Sequence, residues 1–195
     1  MHPITAFVLA GGKSSRMGSD KAFLELAGRT LLARSLDLAL AVTNDVRIVG
    51  DSEKFAAFGP VVPDVYPARG PLGGIHAALS ACPTDYNLIL AVDLPFIELG
   101  FLQYLIAEAE STDATVTVPS AAGNLHPLCA VYRKPFLAVA ERALAENRNK
   151  LDALFSEVAV RIIGEPELSA AGFDAKIFRN LNTPEDWQQA NQLNN

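Results

Sequence analysis

Short apolar runs alternate with longer helical segments along most of this 195-residue chain. The clearest run, residues 86–92, is almost continuously apolar, which is typical of a parallel strand covered by helices on both faces. An earlier run at 4–10 precedes a glycine-rich loop, a helical segment at 30–41 and another strand at 45–50. Because parallel strands need crossover helices, the pattern predicts a three-layer α/β/α sandwich with a mostly parallel, Rossmann-like sheet.

The remaining elements fit one domain spanning residues 1–195, since 50% hydrophobic content supplies a sizeable core. In such sheets ligands bind beyond the carboxyl ends of the strands. The loop after Ala10, the turn after Asp64 and the corner at Asp93 should all emerge at that edge. The further predicted helices are 75–81, 99–110, 135–146, 151–155 and 184–192, and the further strands are 61–64, 114–119, 128–133 and 158–163.

A net charge of -6 argues against broad binding to nucleic acid, which needs a basic surface to displace phosphate counterions. An anionic ligand would instead need a local basic pocket. Ordinary solvated side chains are the alternative interpretation of the basic residues near the N-terminus, which are Lys13, Arg16, Lys21, Arg29 and Arg34.

Cys82 and Cys129 lie far apart in apolar surroundings, so we expect buried free thiols and a reducing, cytoplasmic environment. The apolar run at 4–10 is too short to span a bilayer and lacks a basic flank, so it predicts a buried strand rather than a membrane helix or signal peptide.

The loop after the first strand, residues 9–21, is rich in glycine and cations. It is not a P-loop, which would place glycine at Phe7, nor a dinucleotide fingerprint, which would place glycine at Lys13. Its glycines still allow backbone amides to approach phosphate oxygens, although a structural turn is the alternative. Arg16 offers a planar fork of donors and Lys21 a mobile charge for a triphosphate. The glycines are Gly11, Gly12 and Gly18.

The spacing Leu9-Ala10-Gly11-Gly12-x-x-x-Arg16-Met17-Gly18-x-Asp20-Lys21 resembles the signature of nucleotidyltransferases, most closely that of the molybdenum cofactor guanylyltransferases. The resemblance covers nearly the whole chain. Its later motifs, in order, are Gly70-Pro71-Leu72-Gly73-Gly74, Asp93-Leu94-Pro95-Phe96, His126-Pro127 and Asn180-Leu181-Asn182-Thr183-Pro184-Glu185-Asp186.

This resemblance implies the nucleotide-diphospho-sugar transferase type of fold, magnesium as cofactor, and GTP and molybdenum-molybdopterin as substrates. It also implies contact with molybdopterin-supplying proteins and recipient molybdoenzymes, and no role for nucleic acid or membranes. In the family Leu9, Ala10 and the loop glycines line the nucleotide site, and Gly70–Gly74 lies against guanine. A cytidylyltransferase for the same pterin, a sugar-phosphate nucleotidyltransferase and a non-catalytic nucleotide-binding module stay open as alternatives.

Two aspartates end predicted strands at the functional edge. Asp93 is a candidate magnesium ligand, because magnesium often uses one or two carboxylates plus substrate phosphates; a helix N-cap is the alternative. Asp64 would accept hydrogen bonds from the base or ribose, or would simply form a turn. Asp51 stands where the family often offers Asn, which puts one nucleotide contact in doubt.

The last motifs point to the acceptor. Asn180 and Asn182 can donate and accept hydrogen bonds, which suits the amide-like edge of a pterin or a phosphate; capping the final helix is the alternative. His126 could act as a base, but a lone histidine is more often structural or a substrate contact. His2 and His76 complete no metal-binding spacing, so zinc is not expected.

Overall fold

A computed structural model describes residues 2–11, 20–66 and 68–181. Within these ranges the strands are β1 Ile4–Leu9, β2 Glu25–Leu26, β3 Arg29–Thr30, β4 Val46–Val49, β5 Val61–Val62, β6 Tyr86–Ala91, β7 Val116–Ala121, β8 Asn124–Leu125, β9 Cys129–Arg133 and β10 Val160–Ile163. The α-helices are α1 Leu31–Leu40, α2 Ser52–Phe55, α3 Pro71–Ala81, α4 Leu99–Glu110, α5 Phe136–Ala145, α6 Leu151–Leu154 and α7 Glu165–Ala170. Short 3-10 helices cover Lys21–Phe23, Phe155–Glu157 and Ala175–Phe178.

The main sheet has the order β10-β7-β9-β6-β1-β4-β5, with β8 on the edge of β7. β1 pairs in parallel with β4 and β6, and β4 with β5. β9 runs antiparallel between β6 and β7. Leu9 is level with both Val49 and Ala91, so the carboxyl ends of three adjacent strands meet at one edge.

Side chains of the central strands alternate between two cores, as the pleat requires. Ala6 and Val8 of β1 pack in the core that includes α1 and α4, whereas Phe7 and Leu9 pack in the core that includes α3 and α5. Helices therefore cover both faces of the sheet. The predicted three-layer, mostly parallel α/β fold is confirmed.

The structure differs from the predicted elements in several places, and the short elements α2, α7 and β8 were not predicted. α3 begins at Pro71 rather than near residue 75, because proline is well suited to a first helical turn and the glycines after it continue the helix. A small β2–β3 hairpin was not predicted; Ala27 and Gly28 form its two-residue turn, both with positive φ. β7 begins and ends two residues later than predicted, at Val116 and Ala121.

The expectation that both cysteines are buried free thiols is confirmed. Cys82 and Cys129 are free and buried, and burial raises the pKa of the Cys129 thiol far above its usual range. Among the helices that the structure describes, none has the length and apolar character needed to cross a bilayer.

Candidate functional site

The first strand, β1, ends at the carboxyl edge of the sheet, where Leu9, Ala10 and Gly11 lie. The amides of Ala10 and Gly11 both donate to the Val49 carbonyl, at 3.0 and 3.2 Å, which ties the end of β1 to the end of β4. Leu9 and Ala10 are buried, and Gly11 is exposed. The chain thus leaves the sheet at Gly11, where a ligand can reach its backbone.

Lys21 and Asp93 meet at this edge although they lie far apart in sequence. Lys21 begins the 3-10 helix after the glycine-rich loop, and Asp93 follows β6. The Lys21 Nζ and Asp93 Oδ2 atoms are 3.4 Å apart, with side chains 21% and 25% exposed. Glu98, not Asp93, occupies the N-cap position of α4, so the capping alternative for Asp93 is wrong.

The donor set around Asp93 suits a magnesium ion that arrives with a nucleotide. The described residues contain no cluster of three or more His, Cys, Asp or Glu side chains able to hold a metal. A single carboxylate with partial exposure matches the habit of magnesium, which keeps waters and substrate phosphates among its ligands. The expected role of Asp93 as a magnesium ligand remains a prediction.

Three polar contacts support this corner, and none of them was predicted. The Asp20 carboxylate accepts from the Ala22 amide at 3.0 Å and pairs with Lys54 from α2; that hydrogen bond raises the Lys54 pKa. Arg34 Nη2 donates to the Pro95 carbonyl at 3.4 Å, linking α1 to the turn after Asp93. The Asp-Lys ending of the loop motif was the available signal for Asp20.

The other N-terminal cations do not all converge on the edge. Arg29 forms an exposed ion pair with Asp37 on α1, at 2.6 Å. Lys13 lies outside the described residues, as do four predicted site residues and the predicted closing helix at 184–192. The four site residues are Gly12, Arg16, Gly18 and Asn182.

Asp64 lies two residues after the end of β5 and forms a turn, which was the alternative prediction for this residue. Its Oδ1 atom accepts a hydrogen bond from the Tyr66 amide at 2.8 Å. The start of α3 packs directly on this carboxylate, because a Cβ added at Gly73 would lie 3.0 Å from Asp64 Oδ1. A Cβ added at Gly74 would instead meet Leu9 and Val49 at ordinary contact distances. Asp64 therefore forms a local turn and packs against the first turn of α3.

This packing predicts that Gly73→Ala destabilises the protein by about 1–3 kcal/mol, because overpacking strains the backbone. The new Cβ would also lie 2.9 Å from the Tyr66 carbonyl oxygen. Urea unfolding measures the effect. The matched control is Gly74→Ala, one residue on in the same helix, whose Cβ would lie 3.5 Å from Leu9 Cδ2. Equal midpoints for the two variants would contradict the tight contact at Gly73.

Asp51 departs from the family pattern and has a clear local role. Its Oδ1 atom accepts from the amides of Glu53 at 2.9 Å and Lys54 at 3.4 Å, so it caps α2. Gly50 before it is required by packing, because a Cβ there would lie 2.8 Å from the Phe55 ring.

His126 lies in the loop that precedes β9, and its ring stacks on Phe178 with centroids 4.3 Å apart. Its Nε2 atom is 3.3 Å from the Ala121 carbonyl. Asn180, close after Phe178, is exposed, and the next residue, Leu181, donates its amide to the Asp93 carbonyl at 3.4 Å. The Asn180 segment therefore borders the Asp93 corner.

The environment of His126 predicts that stability depends on pH. Burial lowers the pKa of His126, and the hydrogen bond to the Ala121 carbonyl raises it by a smaller amount. The unfolded chain, with an ordinary pKa of about 6.5, then binds more protons than the folded chain as pH falls. The contribution of neutral His126 to the free energy of unfolding is therefore fully present above the unfolded pKa. It is lost as the pH falls from the unfolded pKa through the lower pKa of the folded state.

We therefore expect the free energy of unfolding to fall more between about pH 7.5 and about pH 5.5 in the parent protein than in His126→Phe. Urea unfolding at both pH values measures the difference. Parallel pH dependence in the two proteins would contradict a lowered His126 pKa.

A cavity of about 330 Å³ lies at the opposite edge, near the amino ends of β1 and β6. Its lining includes Arg133, which already pairs with Asp85 at 2.8 Å and lies over the Tyr86 ring at 5.3 Å. The positive charge of Arg133 is therefore already paired within the protein. The glycine-rich loop, Lys21 and Asp93 make the carboxyl edge the better candidate site.

Comparison with known proteins identifies the family of the chain. A family described as the MobA-like NTP transferase domain matches residues 6–162. The molybdenum cofactor guanylyltransferase of Desulfosudis oleivorans is 36% identical over 193 residues, which cover 97% of this chain and 95% of that protein. The chain belongs to the molybdenum cofactor guanylyltransferase family. The resemblance found in the sequence is confirmed.

Further relatives are similar over nearly the whole chain, at lower identity. A probable molybdenum cofactor guanylyltransferase from Carboxydothermus hydrogenoformans is 32% identical over 190 residues, covering 97% of this chain and 95% of that one. The crystal structure of molybdopterin-guanine dinucleotide biosynthesis protein A from Archaeoglobus fulgidus superposes with a TM-score of 0.84 at 25% identity, covering 97% of both chains. Membership of this family makes the chain a nucleotidyltransferase.

Proposed function

We propose that the chain transfers GMP from GTP to the terminal phosphate of molybdenum-molybdopterin, forming molybdopterin guanine dinucleotide and pyrophosphate. An oxygen of the acceptor phosphate attacks the α-phosphorus of GTP. The bond from this phosphorus to the oxygen that bridges it to the β-phosphorus breaks, and pyrophosphate leaves with that electron pair. This displacement is complete in one step, so the reaction needs no covalent enzyme intermediate and no oxidant or reductant.

The observation that carries this proposal is the convergence of Lys21 and Asp93 at the carboxyl edge, 3.4 Å apart, in a chain of this family. A cation and a carboxylate beside an exposed glycine backbone suit a triphosphate and its counter-ion. Open sheets of this kind bind ligands at the same edge.

Catalysis would rest on positioning and charge neutralisation, because the attacking phosphate is already an anion and needs no protein base. Lys21 would neutralise charge on the phosphates and on the departing pyrophosphate, and Arg16 would do the same from the glycine-rich loop. Backbone amides near Gly11, Gly12 and Gly18 would hold the phosphate oxygens. Magnesium, held by Asp93 and the phosphates, would supply electrostatic stabilisation of the developing charge.

The two substrates would occupy different parts of the edge. Leu9, Ala10, Asp64 and Gly74 would form the nucleotide side; Gly74 packs on Leu9, and Asp64 contacts the start of α3. Asn180 and Asn182 would bind the pterin or its phosphate; Leu181, which follows Asn180, donates its amide to the Asp93 carbonyl.

Turnover of purified enzyme with molybdenum-loaded molybdopterin tests the proposal, with GTP and CTP compared and pyrophosphate release measured. We expect release that needs GTP, magnesium and the pterin together. Release with CTP would indicate the cytidylyltransferase, and release with a sugar phosphate as acceptor would indicate the sugar-phosphate enzyme. GTP binding without product in every arm would favour a non-catalytic nucleotide-binding module. A positive result would make molybdopterin-supplying proteins and recipient molybdoenzymes the partners to seek.

A further inference from the structure

His126 and Phe178 form the most parallel ring pair near the Asp93 corner. Their centroids are 4.3 Å apart and their planes differ by 16°. His126 belongs to the loop between β8 and β9, whereas Phe178 ends the last described 3-10 helix. The stack therefore joins two segments that are distant in sequence, and both border the candidate site.

The loop that carries His126 is held firmly by its backbone. The His126 amide donates to the Pro119 carbonyl at 2.9 Å, and its own carbonyl accepts from Cys129 at 3.0 Å. Two residues on, the Leu128 carbonyl accepts from Ala91 at 2.8 Å, where β6 ends. The loop that carries the His126 ring is therefore hydrogen-bonded to both β6 and β7.

The Phe178 side of the stack is equally anchored. Phe178 is only 4% exposed and meets Phe101 of α4 edge to face, with centroids 5.1 Å apart. The chain then passes Asn180 and reaches Leu181, which is 1% exposed and donates its amide to the Asp93 carbonyl. Asn180 is the exposed residue between these two anchors.

We propose that His126 is a positioning residue for the acceptor substrate: by stacking on Phe178 it fixes the backbone of residues 178–181 and holds Asn180 beside Asp93. This inference rests on the proposed function in taking molybdenum-molybdopterin as the acceptor. His126 itself makes no contact with the reacting atoms in this role. The ring face, rather than the ring proton, is the feature that matters.

Three variants separate the ring from its hydrogen bond. His126→Phe retains an aromatic face, His126→Gln retains a hydrogen-bonding side chain, and His126→Ala removes both. An aromatic pair contributes about 0.5–1.5 kcal/mol, which corresponds to about a twofold to tenfold effect. We expect His126→Ala and His126→Gln to raise the KM for molybdenum-molybdopterin by that factor, with kcat and the KM for GTP unchanged. His126→Phe should restore the parent value.

Hydrogen exchange of the Leu181 amide gives a second measurement, which does not depend on the reaction. The exchange rate should rise about twofold to tenfold in His126→Ala and His126→Gln and return in His126→Phe. Unchanged exchange in His126→Ala, parent behaviour of His126→Gln, or an equal rise in the KM for GTP would overturn the proposal. If the parent protein fails to use GTP with molybdopterin, the proposed function falls, while the exchange measurement still decides whether the stack holds this segment.

Discussion

Asp93→Asn is expected to lower turnover by about a thousandfold or more while the fold is retained, because the amide loses the negative charge that would hold magnesium. The side chains are nearly equal in size, and the Asp93 carboxylate is partly exposed at a strand end, so the packing of β6 should be unaffected. Pyrophosphate release at saturating GTP and molybdopterin, over a magnesium titration, measures the change.

The matched control for this variant is Asp113→Asn, which removes the same charge from a fully exposed side chain, 4.0 Å from Arg133. It should keep the parent rate. Folded Asp93→Asn protein with normal magnesium-dependent turnover would remove Asp93 from the metal site.

Lys21→Ala is expected to lower kcat/KM for GTP by about a hundredfold, because a cation placed against transferring phosphates stabilises charge that grows in the transition state. Loss of the Lys21–Asp93 contact should change the free energy of unfolding by no more than about 1 kcal/mol, because the pair is partly exposed and 3.4 Å long. Steady-state kinetics with GTP varied, together with urea unfolding, measures both effects.

Lys176→Ala is the control for Lys21→Ala. Its side chain is 88% exposed and pairs with the nearby Asp174, so the variant removes a positive charge outside the candidate site. Parent kinetics in Lys21→Ala, or an equal loss in Lys176→Ala, would show that Lys21 does not act on the phosphates.

The central part of the fold could be predicted from the sequence because its signals are local. The apolar run that forms β6 and the segment that forms α4 can be recognised from their composition, length and hydrophobic period. The direction of β9 could not be predicted in this way. A strand of Cys129–Arg133 is compatible with either orientation, and only its pairing with β6 and β7 decides.

The site divides in the same manner. Lys21 and Asp93 were predicted to share an edge because the carboxyl ends of parallel strands meet there, and the structure brings the two together. The pairing of Asp20 with Lys54 and the stacking of His126 on Phe178 are long-range contacts between residues without periodic signals. The start of α3 was missed because glycines read as a turn can also continue a helix.

The reversed direction of β9 has a consequence for how such an enzyme can diversify. At the functional edge the parallel strands contribute the loops that leave them, whereas β9 contributes the loop that enters it, residues 126–128. The two kinds of loop are attached to the sheet at opposite ends of their strands. Under the proposed function, we expect that exchanging the 122–128 connection between related chains changes acceptor preference while the use of GTP is retained.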